Sequence, residues 1–462
     1  MADSDYDVVI IGSGPGGYVA GIRAGQLGLK TAVVERDEVG GVCLNWGCIP
    51  SKALLRNAEI LSLFKRGDEF GFTFDNLQAD FGVAVDRSRK VVQKLTQGVA
   101  FLLKKNKVDL IQGSGSLRDA NTVEVAPEGR ILKTKSIIIA TGARARSIPP
   151  LPIDEKTVIT SRQALELREV PKRVVIVGGG ATGAEFSYIY NSYGAKVTLV
   201  EMLPRILPKE DEEISATLER AFSKQGIEVM TGAQVKETRR DKDGLTVVVD
   251  GKDGVVDIPC DKVLSAIGVD YNTEGLGLDK VGIKLEKGAI VVDDHLATTA
   301  QGVYAIGDVT GKMLLAHVAM AQGVAVVERI AGIDVPSLNY TLMPRATYCV
   351  PQVASFGLTE AEAREQGYEV KVGKFPLQAS GKALALAETE GMVKVVADAK
   401  LGEILGGHAI GHEATELMGE LAIANLLEGT TKEVGWLVHA HPTMSEAVKE
   451  AALAADGEAI HI

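Results

Sequence analysis

Two of the chain's four cysteines, Cys43 and Cys48, stand five positions apart in the run Gly40-Gly41-Val42-Cys43-Leu44-Asn45-Trp46-Gly47-Cys48-Ile49-Pro50-Ser51-Lys52. A regular α-helix separates residues i and i+5 by about 7.5 Å along its axis, whereas a disulfide needs Cα atoms closer than about 7 Å. A bond between these two therefore demands backbone tighter than a helix, and Gly47 makes such a turn easier. A small ring of this kind is more readily reduced than a long structural crosslink. The pair reads as a redox dithiol; two buried cysteines on one helix are the alternative. A second chemical pattern lies near the other end, in His439-Ala440-His441-Pro442-Thr443-Met444-Ser445-Glu446. A histidine with a carboxylate five residues on, across a proline turn, can be a general base held by an acid. The same residues can also be surface histidines.

The elements that must position this chemistry come in two copies. Val8-Val9-Ile10-Ile11 has the character of a buried strand and runs into Gly12-Ser13-Gly14-Pro15-Gly16-Gly17, a helical stretch to Leu27, a strand Thr31 to Val34, and Glu35. Val174-Val175-Ile176-Val177 runs in the same way into Gly178-Gly179-Gly180-Ala181-Thr182-Gly183, a strand Thr198 to Val200, and Glu201. Gly12 and Gly178 permit the tight turn out of the strand, Gly14 and Gly180 let a pyrophosphate approach the backbone, and Gly17 and Gly183 let the helix pack on the strand. The helix N-terminus offers N–H groups and a positive dipole end to phosphates, and Glu35 and Glu201 can accept hydrogen bonds from ribose hydroxyls. One such motif is weak; two in the same register predict two dinucleotide sites.

The dithiol follows the acid of the first copy, and its chemistry needs a cofactor that couples thiols to hydride. Flavin does this, so FAD is expected on the first copy and a nicotinamide on the second. Glu201 favours NAD. A phosphate about 4 Å from its carboxylate, at an effective dielectric near 20, would be repelled by roughly 4 kcal/mol. Arg205, after Pro204, is expected in solvent.

With 462 residues, 46% hydrophobic and 24% charged, the chain suits a soluble protein of several domains. A net charge of −11 argues against nucleic acid or an anionic membrane as partner. The acidic stretch Met1 to Asp7 lacks the basic and apolar regions of a signal peptide, and no apolar run reaches transmembrane length. Four cysteines cannot form a secreted disulfide framework. Cys260 and Cys349 are expected as small core residues, and a cytoplasmic location follows.

Further along, helices are expected over Ser51 to Phe64, Phe81 to Asn106 and Met313 to Ile330, with Lys104 to Lys107 as a solvated helix end. Ser136 to Ile139 should be a strand leading into Ala140-Thr141-Gly142. Arg144 to Pro152, rich in proline, reads as a linker. Val263 to Gly268 resembles the strand before Thr141 and closes the second copy. Thr298 to Asp308 reads as a strand ending in an exposed acid, which can bond a polyhydroxyl chain or be an ordinary turn aspartate. Strands are expected over Gly391 to Val396 and Ile404 to Ile410. Thr415 to Leu427, apolar around much of its circumference, suits a subunit interface.

Together the segments Gly12 to Gly17, Cys43 to Lys52, Gly178 to Glu185, Gly302 to Asp308 and His441 to Glu446 resemble those of the flavin-dependent pyridine nucleotide–disulfide oxidoreductases, over the whole chain. The resemblance implies an α/β chain with two Rossmann-like dinucleotide-binding domains, for FAD and NAD, plus a C-terminal α+β dimerisation domain. The corresponding division is residues 1–150 (FAD domain with the redox disulfide), 151–271 (NAD domain), 272–342 (a central region completing the FAD domain) and 343–462 (interface). It implies Cys43 as the thiol that meets substrate, Cys48 as the thiolate facing the flavin, and His441, oriented by Glu446, as the base. Lys52 resembles the lysine near the flavin and Glu185 its ion partner beside the nicotinamide. Gly12, Gly14, Gly17, Glu35, Lys52, Thr141, Gly142, Asp308 and Ala316 are the expected FAD contacts. Gly178, Gly180, Gly183, Glu185, Glu201 and Gly268 are the expected NAD contacts, and no metal is expected. The implied reaction oxidises protein-bound dihydrolipoyl groups with NAD+. The implied partners are a second copy of the chain and the lipoyl domains and E2 core of a 2-oxo acid dehydrogenase complex, or a lipoylated glycine cleavage protein. Ala181 and Thr182, where relatives often carry a bulky residue after the third glycine, suggest a more open nicotinamide pocket. Val318 and Met320 stand where many relatives carry charge. Glu201 argues against the NADP-dependent glutathione-type reductases, the C-terminus lacks the cysteine pair of mercuric reductases, and the intact Cys43, Cys48 and His441 argue against a purely scaffolding subunit.

Overall fold

The runs Val8–Ile11 and Val174–Val177 are apolar on both faces, which only a strand covered from both sides can satisfy, and each lies inside a parallel sheet. The computed structural model describes residues 4–241 and 244–462. The chain forms two compact units, one of residues up to Ala53 with Val83–Arg146 and Gly268–Leu338, the other of Leu54–Gly82, Ser147–Ile267 and Asn339–Ile462.

In the first unit the parallel strands lie in the order Asp109–Gln112, Thr31–Glu35, Tyr6–Ile11, Arg130–Ile139 and Val303–Ala305. An antiparallel meander, Ser114–Asp119 with Thr122–Ala126 and the start of Arg130–Ile139, extends from it. In the second unit Glu228–Thr231, Lys196–Glu201, Arg173–Val177, Lys262–Ser265 and Val158–Ile159 repeat the parallel order. A three-stranded meander, Gln234–Asp241, Gly244–Gly251 and Gly254–Cys260, accompanies it. The expected duplication is thus present in strand order as well as in sequence.

Local chemistry explains the shared turn. Gly12 has φ +104°, and a Cβ there would lie 2.4 Å from the Ala140 carbonyl oxygen; Gly178 has φ +108° and the same conflict with Ala266 at 2.3 Å. Pro15 opens the helix Pro15–Gln26, where its fixed φ suits the first turn. Gly28 and Gly194, both at positive φ, end the paired helices Pro15–Gln26 and Ala181–Ser192.

The rest of the second unit carries a five-stranded antiparallel sheet, ordered Arg345–Thr347, Gln352–Gly357, Ile404–Gly411, Met392–Asp398 and Val370–Pro376. Helices Ala414–Leu426, Thr431–Trp436 and Glu446–Ala455 accompany it. Phe356, Phe375, Val395, Leu421, Met418 and Val448 form its core. Lys394 is buried among Asp211, Glu213 and Glu360, at 2.9, 2.7 and 3.0 Å.

The expected helices appear as Cys48–Lys65, Phe81–Lys105 and Ala316–Ile330, the last starting late because Leu315 is extended. Lys104, Lys105 and Lys107 are exposed, as expected of a helix end. One expectation is refined and another corrected. The linker expected over Arg144 to Pro152 does hold the passage from one unit to the other, between Arg146 and Ser147, but its two ends are ordered. Ala143–Ala145 pairs antiparallel with Val269–Tyr271, and Leu151 is fully buried with Val158, Val175 and Val263. Proline density masked one apolar anchor. The strand expected from Thr298 is reduced to Val303–Ala305, because Thr298 to Gly302 folds into a turn closed by Thr298 N–H donating to Val303 O.

Removing a fully buried leucine side chain costs about 2–5 kcal/mol. Leu151→Ala is therefore expected to lower the thermal midpoint by several degrees, read by scanning calorimetry. A midpoint within about one degree of the parent would contradict Leu151 as a packed anchor.

Candidate active site

The helix Gly41–Trp46 stops at Gly47 and a new helix starts at Cys48. A Cβ at Gly47 would stand 3.0 Å from the Val42 carbonyl oxygen, so a side chain there would press the two helices' ends apart by a few tenths of an ångström. The break brings the Cα atoms of Cys43 and Cys48 to 4.7 Å, and the two are joined by a disulfide. Asn45, within the ring, donates from Nδ2 to Val39 O and Gly41 O, each at 3.0 Å. Ser51 Oγ donates to Gly47 O at 2.7 Å. Lys52 lies one turn beyond Cys48 on the same helix.

The two acids act alike. Glu35 Oε2 accepts from Ser13 N–H at 2.8 Å and Ser13 Oγ at 2.7 Å, while Oε1 accepts from Asp37 N–H at 2.8 Å. Glu201 Oε2 accepts from Gly179 N–H at 2.6 Å and Oε1 from Leu203 N–H at 2.7 Å. Each carboxylate ties its glycine turn to the end of the second strand, and Glu35 Oε1 and both oxygens of Glu201 keep a lone pair that a ribose hydroxyl could use. The sequence pointed to the acids but not to this structural duty, nor to Ser13. Arg205, expected in solvent, is half-buried, with Nε shielded and Nη2 donating to Pro208 O.

Dinucleotides fit these residues. A Cβ at Gly14 or Gly180 would meet nothing within 4 Å. No side chain caps the helix that follows either one. Backbone N–H groups thus face open space, the arrangement that receives a pyrophosphate. Thr141 Oγ1 donates to Asn272 O at 2.8 Å, and Asn272 Nδ2 donates back to Thr141 O at 2.9 Å, fixing the turn at Gly142. Gly268 is the counterpart of Gly142, also at positive φ. Ala316 opens its helix. Asp308 lies in the 3-10 turn Gly307–Thr310 and is not exposed, which corrects the expectation; burial pushes its carboxyl up to about 6. Glu185 is buried and accepts the Tyr348 N–H at 3.0 Å. Ala181 and Thr182 are exposed on the first turn of their helix, and Val318 is buried.

His441 is 79% exposed, and its Nδ1 lies 2.9 Å from Glu446 Oε1. Glu446 Oε2 accepts from Thr443 N–H at 2.8 Å. Burial opposes ionisation of Glu446, yet the Thr443 N–H and His441 together hold its carboxyl below the usual range. An ionised Glu446 makes Nδ1 the donor and leaves Nε2 free to take a proton. His439 differs. It is 5% exposed, with Nε2 2.6 Å from Glu420 Oε1, a pairing across nineteen positions with no local signal. Cys260 and Cys349 are buried thiols outside any disulfide, as expected, and burial pushes Cys260 up to about 12. Among the described residues, no group of His, Cys, Asp and Glu is arranged to hold a metal ion, and no helix is long and apolar enough to cross a membrane.

Residues 6–323 match the family described as pyridine nucleotide-disulphide oxidoreductase, and residues 343–452 match the dimerisation domain of the same family. The chain belongs to this family. It is 50% identical to a dihydrolipoyl dehydrogenase of Mycobacterium leprae, over 96% of this chain and 97% of that one. It is 45% identical to the dihydrolipoyl dehydrogenase of Bacillus subtilis, over 99% of both. Among solved structures, LpdA of Mycobacterium tuberculosis superposes with a TM-score of 0.89 at 28% identity, covering 96% of this chain and 99% of that one. The Escherichia coli flavoprotein disulfide reductase RclA superposes at 0.86 and 27% identity, over 97% and 99%. The α/β fold with two nucleotide-binding copies and a dimerisation module is that of the family, and FAD and NAD are the cofactors.

Asp308 gives a signed expectation. Its folded carboxyl titrates near 6 against an ordinary 3.8. Between these values the folded state binds more protons than the unfolded one, so stability falls as pH rises through that window and is flat above it. In flavin-free protein, Asp308→Asn should raise the thermal midpoint at about pH 7.5 and leave it unchanged near pH 3.5. An equal gain at both pH values would contradict a buried, charge-penalised carboxyl.

Proposed function

We propose that the chain oxidises protein-bound dihydrolipoyl groups to the lipoyl disulfide and reduces NAD+ to NADH. The observation that carries this reading is the Cys43–Cys48 disulfide at the helix break, beside a dinucleotide-binding turn in the same unit. The dihydrolipoyl dehydrogenases to which the chain is similar support the choice of substrate.

FAD, held at the first glycine turn, would supply the two-electron chemistry that couples the reduced dithiol to NAD+. The chain's residues do the rest. His441 Nε2 takes a proton from one dihydrolipoyl thiol while Glu446 holds the imidazole. The resulting thiolate attacks Cys43 Sγ, the Cys43–Cys48 bond breaks, and Cys48 leaves as a thiolate. The second dihydrolipoyl thiol passes its proton to the departing Cys43 sulfur and attacks the lipoyl sulfur bonded to it. That closes the lipoyl disulfide and frees Cys43.

In this reading Gly12, Gly14, Gly17, Glu35, Lys52, Thr141, Gly142, Asp308 and Ala316 hold FAD. Gly178, Gly180, Gly183, Glu185, Glu201 and Gly268 hold NAD. The functional division is 1–150 and 272–342 for FAD, 151–271 for NAD and 343–462 for the interface. The chain works as a homodimer in which the dithiol of one subunit meets His441 of the partner subunit. The exposed apolar stretch Trp436-Leu437-Val438, leading into His439 and His441, supports this, as do exposed Leu426 and Leu427 at the end of the preceding helix. The lipoyl domains and E2 core of a 2-oxo acid dehydrogenase complex, or a lipoylated glycine cleavage protein, are the partners. The cytoplasm is the compartment, where thiols stay reduced.

The test is dihydrolipoamide-dependent formation of NADH, with NADP+ in parallel. Glu201 predicts fast NADH and little NADPH. Cys48→Ser should abolish thiol-coupled turnover. His441→Gln should slow it by about 10²–10⁴-fold with bound flavin unchanged. Full turnover by either variant, or no reaction of the parent protein with dihydrolipoamide, would overturn the reading.

A further inference from the structure

We infer that Arg89 is a positioning residue for the redox ring: it anchors the ring's backbone through the Asn45 carbonyl and places a guanidinium charge that favours the reduced Cys43–Cys48 pair. The inference rests on the reading of that pair as the redox dithiol.

Arg89 lies on the helix Phe81–Lys105, 44 positions from its partner, and its Nη1 donates to Asn45 O at 2.8 Å. Asn45 is inside the ring closed by the two cysteines, two residues after Cys43 and three before Cys48. Its side chain is already committed to Val39 O and Gly41 O, so the ring is held from within by an amide and from without by a cation. Arg87, on the same helix, donates to Ala53 O at 3.1 Å, in the helix that Cys48 begins. One face-to-segment contact thus recurs, and its donor is an arginine each time.

The charge matters because the two redox states differ in charge. The disulfide is neutral. In the proposed reaction its reduction takes up two electrons and one proton, leaving Cys43 as a thiol and Cys48 as a thiolate. Chain geometry puts the Arg89 guanidinium on the order of 10 Å from both sulfurs. Its Nε and Nη2 are shielded from water, so salt screens it weakly. Attraction at that separation acts on the thiolate and not on the disulfide, and is enough to move the equilibrium several-fold. A basic side chain at the end of a short helix can also be a simple carbonyl cap. The two roles separate when charge and hydrogen bond are removed independently.

The holoenzyme is equilibrated without oxygen against dithiothreitol and its cyclic disulfide, quenched in acid, and the alkylated Cys43 and Cys48 are counted by mass spectrometry. In closing its ring, dithiothreitol yields two electrons and two protons; one proton goes to the pair and the other to buffer. R89Q keeps an N–H donor without the charge, and its reduced-to-oxidised ratio should fall about fivefold. R89K keeps the charge and should stay within about twofold of the parent. An unchanged ratio in R89Q, or an equal fall in both variants, overturns the inference. If R89Q does not retain flavin, R89K decides alone: a ratio near the parent's supports the inference and a fivefold fall overturns it. Failure of the parent pair to be reduced would defeat the redox-dithiol reading itself, and is seen before any variant is compared.

Discussion

A continuous helix cannot join residues five apart through a disulfide, and this one constraint organises the region that carries the chemistry. The chain meets it by ending one helix at Trp46, crossing Gly47, and starting another at Cys48. The Cα atoms then stand 4.7 Å apart. The second helix inherits a cysteine at its first residue, where the positive end of the helix dipole favours a thiolate. Asn45, Ser51 and Arg89 each satisfy a carbonyl at or near the break, so the turn is held by named bonds rather than left to the crosslink alone. A ring that opens and closes in each turnover needs such support in its open state.

The same economy appears in the two nucleotide turns. A strand, a glycine turn and a helix N-terminus make a phosphate site, but only if the turn is held open and in place. Glu35 and Glu201 do this by spanning from the glycine turn to the end of the next strand. They are buried acids satisfied by backbone N–H groups, which is the condition under which a charge can be kept inside a protein. In the proposed reading their remaining lone pairs take ribose hydroxyls, so that one carboxylate would serve both the fold and the cofactor.

Much of this was legible in the sequence because it is local. The dithiol, the paired glycine turns, the acids 23 positions on and the His441–Glu446 turn each lie within a short stretch whose spacing carries the geometry. Long-range pairings left no such trace. Arg89 reaches Asn45, Lys394 gathers Asp211, Glu213 and Glu360 from up to 183 positions away, and His439 turns toward Glu420 while its neighbour His441 faces outward. Burial was the other blind spot. Asp308 and Arg205 are polar residues in turns, and turns usually lie in water; here both are partly buried. Leu151 shows the converse, an apolar anchor concealed by surrounding prolines.

The central claim is that electrons move between a nicotinamide and the Cys43–Cys48 bond within one chain. The most direct measurement is to add one equivalent of NADH to the flavin-loaded protein without oxygen, quench in acid, and alkylate the thiols. The account predicts that label appears at Cys43 and Cys48 together and only when NADH is present. Oxidation of NADH with no new thiol at either position would leave the electrons on the flavin and contradict the account.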